Sequence, residues 1–136
     1  MWKTHYCKTS LQYVIIKIEV INKEFDYLGA PQAPTKVEVG NQTENAVTLK
    51  WNKPKSDGGS KITAYQVEIK KPDSDIWEIA NDYPIKGNDF TVGNLQTGKP
   101  YEFRVKAKNA AGWGDYSTLD RPITLKPDSS TWFFLN

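Results

Sequence analysis

Apolar and polar side chains alternate with a period of two along most of this chain. The clearest run starts at Tyr101, where Tyr101, Phe103, Val105 and Ala107 alternate with Glu102, Arg104, Lys106 and Lys108. Successive side chains on a strand face opposite sides, so this run predicts a strand with one dry face and one wet, cationic face. The same pattern recurs upstream. Val37 and Val39 alternate with Lys36 and Glu38. Val47, Leu49 and Trp51 point inward between Thr48 and Lys50, and Tyr65, Val67 and Ile69 point inward between Gln66, Glu68 and Lys70. Ile76–Ala80 with Trp77 predicts a short strand, and Phe90 with Val92 predicts another. Leu119, Ile123 and Leu125 predict a last strand, with Pro122 suiting a sheet edge.

Turn chemistry separates these runs. Asn52–Lys61, NKPKSDGGSK, is a loop by its Pro, Asp and Gly content. Pro72-Asp73 and Gln96-Thr97-Gly98 are turns, and Asn109–Ser117 reads as a glycine-punctuated loop. Seven short strands at even spacing, with no helical period, predict an all-β, seven-stranded antiparallel β-sandwich of immunoglobulin-like type. The expected buried set is Trp51, Tyr65, Phe90, Val92, Leu95, Tyr101, Phe103 and Val105.

The ends follow other rules. Phe25–Pro34, FDYLGAPQAP, reads as a linker stiffened by Pro31 and Pro34. The division is therefore an N-terminal segment and linker over 1–32, the β-domain over 33–127 and a tail over 128–136. Within the N-terminal segment, Tyr13–Ile21 is apolar but encloses Lys17 and Glu19. Those charges interrupt the run that a secretory signal core needs, and a strand-like or disordered extension remains the plainer reading. The tail carries Trp132, Phe133, Phe134 and Leu135. Both ends are expected to be mobile and removable by protease.

Composition narrows the function classes. The chain has 136 residues and a net charge of +2, enough for one core and too mild for a nucleic-acid reader. No apolar run reaches the roughly 18 residues of a membrane span. Cys7 is the sole cysteine, so no internal disulfide forms. His5 is the sole histidine and lies outside the domain, which removes the commonest general base. His5 and Cys7 together fall short of the roughly four ligands of a zinc site. Gly58-Gly59-Ser60-Lys61 lacks the Gly-Lys-Ser/Thr order of a phosphate loop, and Gly112-Trp113-Gly114 lacks the third glycine of a dinucleotide fingerprint. No catalytic residue, cofactor, metal, small-molecule substrate, nucleic acid or membrane is expected.

Leu95, the glycine turn at Gly98 and Tyr101 opening a strand resemble the tyrosine corner of immunoglobulin-like sandwiches. With Trp51 on the second strand and Tyr65 on the third, residues 33–127 resemble the fibronectin type III family. Trp51-Asn-Lys-Pro54, Lys55–Ile62, Tyr65–Glu68, Phe103–Gly112 and the linker Gly29–Pro34 resemble, more narrowly, the modules of the giant muscle filament proteins titin and twitchin. Lys53 stands where that group often has a second proline. Neither Met1–Glu24 nor the aromatic tail resembles a module of the group, and a partial gene model would account for both.

The resemblance implies a spacer and docking unit of the sarcomere, in the cytoplasm, with thick-filament myosin and neighbouring modules as partners. The alternative is an extracellular adhesion or receptor module. Asn41-Gln42-Thr43 is a glycosylation acceptor in a secreted chain and a plain turn otherwise. The candidate protein-binding loops are Asp57-Gly58-Gly59 and the stretch with Trp113 and Asp115, expected at one end of the sandwich. Trp113 has two readings, an interaction hot spot or a structural ring, folded back over Pro54 or stacked on a cation such as Arg104 or Lys106. Arg104, Lys106 and Lys108 likewise face an acidic partner or pair across the sheet with Glu68.

Overall fold

Inward-pointing valine, leucine and aromatic side chains from every long strand meet in one core. The computed structural model describes residues 28–127. In it, eight antiparallel strands form two sheets: β1 (Thr35–Gln42), β2 (Val47–Asn52), β3 (Ala64–Lys70), β4 (Trp77–Ile79), β5 (Asp89–Val92), β6 (Pro100–Asn109), β7 (Gly112–Thr118) and β8 (Ile123–Thr124). One sheet runs β1-β2-β5. The other runs β4-β3-β6-β7, and β8 pairs with the start of β6. No helix occurs among the described residues. Expectations for residues 1–27 and 128–136 lie outside them.

The fold is the expected antiparallel sandwich, with eight strands where seven were expected. The difference lies after β6. The stretch read as a glycine-punctuated loop turns tightly at Asn109–Gly112 and returns as β7. Its inward positions, Gly112, Gly114 and Ser117, are small, so they carry no hydrophobic alternation to betray a strand. At Gly114 the linker crosses that edge, and a Cβ there would overlap the Pro31 carbonyl oxygen; Gly112 has open space but a φ of +132°, which favours glycine. The last expected strand shrinks to β8, since Asp120–Pro122 interrupt the pairing of that edge with β6 after Leu119 N–H donates to the Phe103 carbonyl at 2.9 Å. Leu119 and Leu125 are nonetheless buried on either side of it.

Trp51, Tyr65, Val92, Leu95, Tyr101, Phe103 and Val105 are buried as expected, around fully enclosed Val47, Leu49 and Val67. Phe90 is the exception. It packs against the core but stays half-buried, with its ring edge-on to Tyr83 at 6.3 Å. Trp51 and Tyr65 pack ring against ring at 5.4 Å. Among the described residues neither the Trp51 indole N–H nor the Tyr65 hydroxyl finds a partner, and burial pushes the Tyr65 phenol pKa up.

The corner before β6 has its hydrogen bond. The Gln96 backbone N–H donates to the Tyr101 hydroxyl oxygen at 2.9 Å. Gly98, at φ +84°, closes the turn and donates to the Leu125 carbonyl at 2.8 Å. Tyr101→Phe keeps the ring and strands the Gln96 donor. The expected loss is about 1–3 kcal/mol of unfolding free energy, read from urea denaturation midpoints.

Candidate functional site

Loop β2–β3 and hairpin β6–β7 both emerge at one end of the sandwich, and three chain segments are tied together there. The knot is Asn109, 2% exposed. Its amide nitrogen donates to the Asp57 carbonyl at 2.6 Å and the Gly29 carbonyl at 2.7 Å. Its amide oxygen accepts from the N–H groups of Ala111 at 2.9 Å and Gly112 at 3.2 Å, which shapes the hairpin. Gly29 N–H donates to the Gly58 carbonyl at 2.7 Å, and Gln32 N–H to the Ser56 carbonyl at 3.0 Å. Pro31 and Pro34 are buried against the domain. The linker is therefore clamped onto the sandwich end.

The expected site residues sit in this frame. Asp57 is exposed, and its carboxylate accepts from Gly59 N–H at 2.9 Å, an Asx turn. Gly58, at φ +78°, lies so close to Gly29 that a Cβ would overlap its carbonyl oxygen. Asp115 is exposed on β7. Trp113 lies on β7 rather than in a loop, so it faces sideways across the sheet. Its 38%-exposed ring takes the ammonium groups of Lys106 at 5.0 Å and Lys108 at 5.4 Å. The expected stacking is present, with Lys108 in place of Arg104.

Arg104 anchors a second cluster on the same face. Its guanidinium lies 4.3 Å from the Trp77 ring centre and 3.7 Å from that of Tyr116. It donates to one Glu68 oxygen through Nε at 3.2 Å and Nη2 at 2.7 Å. The other Glu68 oxygen accepts from the Tyr116 hydroxyl at 2.6 Å and the Gln66 amide at 2.8 Å, with Lys106 Nζ at 3.7 Å. Lys106 Nζ also reaches the Tyr116 hydroxyl at 3.0 Å. The result is a ladder of alternating aromatic rings and cations laid over one buried carboxylate.

Glu68 is 5% exposed, though its alternation places it on the wet face. Burial pushes its pKa up, but hydrogen bonds from Tyr116, Arg104 and Gln66 and the Arg104 charge outweigh that, leaving the carboxyl below the ordinary glutamate value. Because the folded value is the lower one, its stabilisation is complete above the unfolded-chain value. That stabilisation is lost as pH falls through the folded one. Urea midpoints across acid pH should therefore fall more steeply for the wild type than for Glu68→Gln; parallel curves would show that Glu68 does not hold its charge.

The expected pairing across the sheet with Glu68 is present for Arg104 and Lys106, which lie opposite and beside it once β3 and β6 are paired, and absent for Lys108 among the described residues. Sequence reasoning singled out neither Asn109 nor Tyr116, and did not foresee that Glu68 is buried. The chemistry on this surface is recognition by fixed charges and rings. Among the described residues, no three His, Cys, Asp or Glu side chains group so as to hold a metal. A depression of about 530 Å³ beside the Asp57 loop, with Pro54 and Lys61 in its wall, is open to solvent. No described helix is long and apolar enough to cross a membrane.

A family model for the fibronectin type III domain matches residues 32–119. The chain is 38% identical over 101 residues to the striated-muscle M-protein of Gallus gallus, covering 74% of this chain and 7% of that protein. It is 36% identical over 93 residues to myosin-binding protein H of Gallus gallus, covering 68% of this chain and 17% of that protein. The chain thus spans less than a fifth of the length of these curated relatives. Among solved structures, a titin module from human cardiac muscle superposes with a TM-score of 0.65 at 42% identity, covering 72% of this chain and 95% of that one.

Proposed function

The chain belongs to the fibronectin type III family, and from that footing we propose that it is a non-catalytic spacer and docking unit of a sarcomeric filament protein. The observation that carries this reading is its similarity, over the whole domain, to modules of muscle filament proteins. The clamp at the sandwich end supports the spacer half. With Gly29 and Gln32 hydrogen-bonded to the domain and Pro31 buried against it, residues 29–32 follow one fixed course over the sandwich end rather than acting as a free tether. The location that goes with this reading is the myofibril, in the cytoplasm.

The docking half concerns Asp57, Gly58, Gly59, Trp113 and Asp115. One sandwich end offers less than the roughly 800 Å² per partner of a standard interface, so docking by a single unit is weak. Several tethered copies then gain by effective concentration without any new contact. Thick-filament myosin is the proposed partner, consistent with the name of one relative, myosin-binding protein H.

Co-sedimentation with myosin filaments tests the reading. A tandem array of this domain and neighbouring modules should bind far better than one domain. Asp57→Ala with Trp113→Ala should weaken that binding and change the melt only slightly, since both side chains are exposed. An extracellular adhesion module is the second reading, because Asn41 is exposed at the end of β1 and open to glycosylation. A glycan at Asn41 on the secreted chain, with cell-surface binding and no filament affinity, would put that reading first.

A further inference from the structure

The two sheets present different outer faces. Directly opposed residues on neighbouring strands share a face, so the register sorts them. On the β4-β3-β6-β7 sheet the outward set pairs Lys70 with Trp77 and Glu102, Glu68 with Ile79 and Arg104, Lys106 with Tyr116, and Lys108 with Trp113. That face carries four cations against two carboxylates, and three aromatic rings. On the β1-β2-β5 sheet the outward set is Glu38, Lys50 and Asp89 with Thr48 and Thr91. Those opposed residues carry one cation against two carboxylates, and no ring; with Lys36, also exposed on β1, the cations and carboxylates balance.

The rings and cations are held in place before any partner arrives. Arg104 lies between Trp77 and Tyr116, and Lys106 between Tyr116 and Trp113. Both are tied to Glu68 from below. A surface with few rotamers left to freeze loses little entropy on binding. Trp, Tyr and Arg are also the side chains that dominate interface energies. Tyr116 and Trp113 remain more than a third exposed, and Ile79 is 62% exposed at the far edge. Lys108 is exposed and pairs with no carboxylate among the described residues.

We propose that this aromatic–cation ladder is the principal docking face, and that its partner is an acidic, amphipathic protein segment. Carboxylates of the segment would meet Lys108 and the outer edge of Lys106, while its apolar side chains would lie on Trp113, Tyr116 and Ile79. The excess of positive charge on this face, absent from the other sheet, is what selects an acidic partner. The inference rests on the docking reading and moves its centre from the loop end to the sheet face, with Trp113 common to both.

The test uses the full chain and a labelled amphipathic peptide of alternating Glu and Leu, followed by fluorescence anisotropy at low salt. A Lys-for-Glu version and single-stranded oligothymidylate serve as the other arms. The Glu peptide should bind, and the Lys version should not. Lys108→Glu and Trp113→Ala should each weaken binding by about fivefold or more, the effect of truncating a contributing interface residue. Lys50→Glu, on the opposite sheet, should leave it unchanged. Equal weakening by Lys50→Glu would reduce the effect to net charge and overturn the proposal. Tighter binding of oligothymidylate would overturn it too, replacing a protein partner with a nucleic acid. Filament binding by the array without peptide binding here would remove this face alone. Peptide binding without filament affinity would keep the face and remove myosin as the partner.

Discussion

Trp51→Ala is expected to cost about 3–5 kcal/mol of unfolding free energy, the usual range for a large aromatic lost from a core. Trp51 is 3% exposed, and its ring packs against that of Tyr65. Its indole N–H has no partner among the described residues. The expected cost is lost apolar contact plus the cavity left between the two sheets. Total stabilities of about 5–15 kcal/mol put the variant near unfolding at 37 °C. Each kcal/mol lowers the melt of a domain this size by about 4–8 °C, so calorimetry reads the effect directly. A melt within about two degrees of wild type would place the core elsewhere.

Arg104→Ala is expected to cost about 3 kcal/mol, the low end for breaking a buried ion pair by removing one partner. The low end applies because Tyr116, Gln66 and Lys106 still reach the Glu68 carboxylate. The loss has two parts: Glu68 stays 5% exposed without its main counter-charge, and Trp77 and Tyr116 lose the plane between them. Arg104→Lys should recover little, since an ammonium supplies neither the stacking plane nor the paired Nε and Nη2 donors. Adding Glu68→Leu to Arg104→Met should recover most of the loss, because no charge is then left buried. If Arg104→Ala denatures at the wild-type urea midpoint, the ladder is surface decoration and contributes nothing to stability.

Much of the fold was legible because strands with one buried face announce themselves. Trp51, Tyr65 and the Tyr101–Ala107 alternation marked β2, β3 and β6, and Leu95-x-x-Gly98-x-x-Tyr101 marked the corner whose hydrogen bond is present. Strand β7 was not legible because its inward side, Gly112, Gly114 and Ser117, is built of small residues. At Gly114 the requirement comes from the Pro31 backbone about 80 residues upstream. Glu68 lies on the expected face and pairs with Arg104 as expected, but its burial was not legible, for a related reason. Alternation assigns a face, but three neighbouring side chains from two other strands decide whether that face is wet. Asn109 reads as a turn residue in the sequence, and only the tertiary structure brings Gly29 and Asp57 within reach of its amide.

The central claim is that this domain works by weak docking repeated along a filament protein. The most direct measurement is the concentration dependence of co-sedimentation with myosin filaments, for one domain and for a tandem array of it with its neighbours. The account predicts that the array reaches half-saturation at a concentration about 10²-fold or more below that of the single domain, the gain expected when linked weak sites act together. Equal half-saturation for both, or no sedimentation of the array at all, would contradict it.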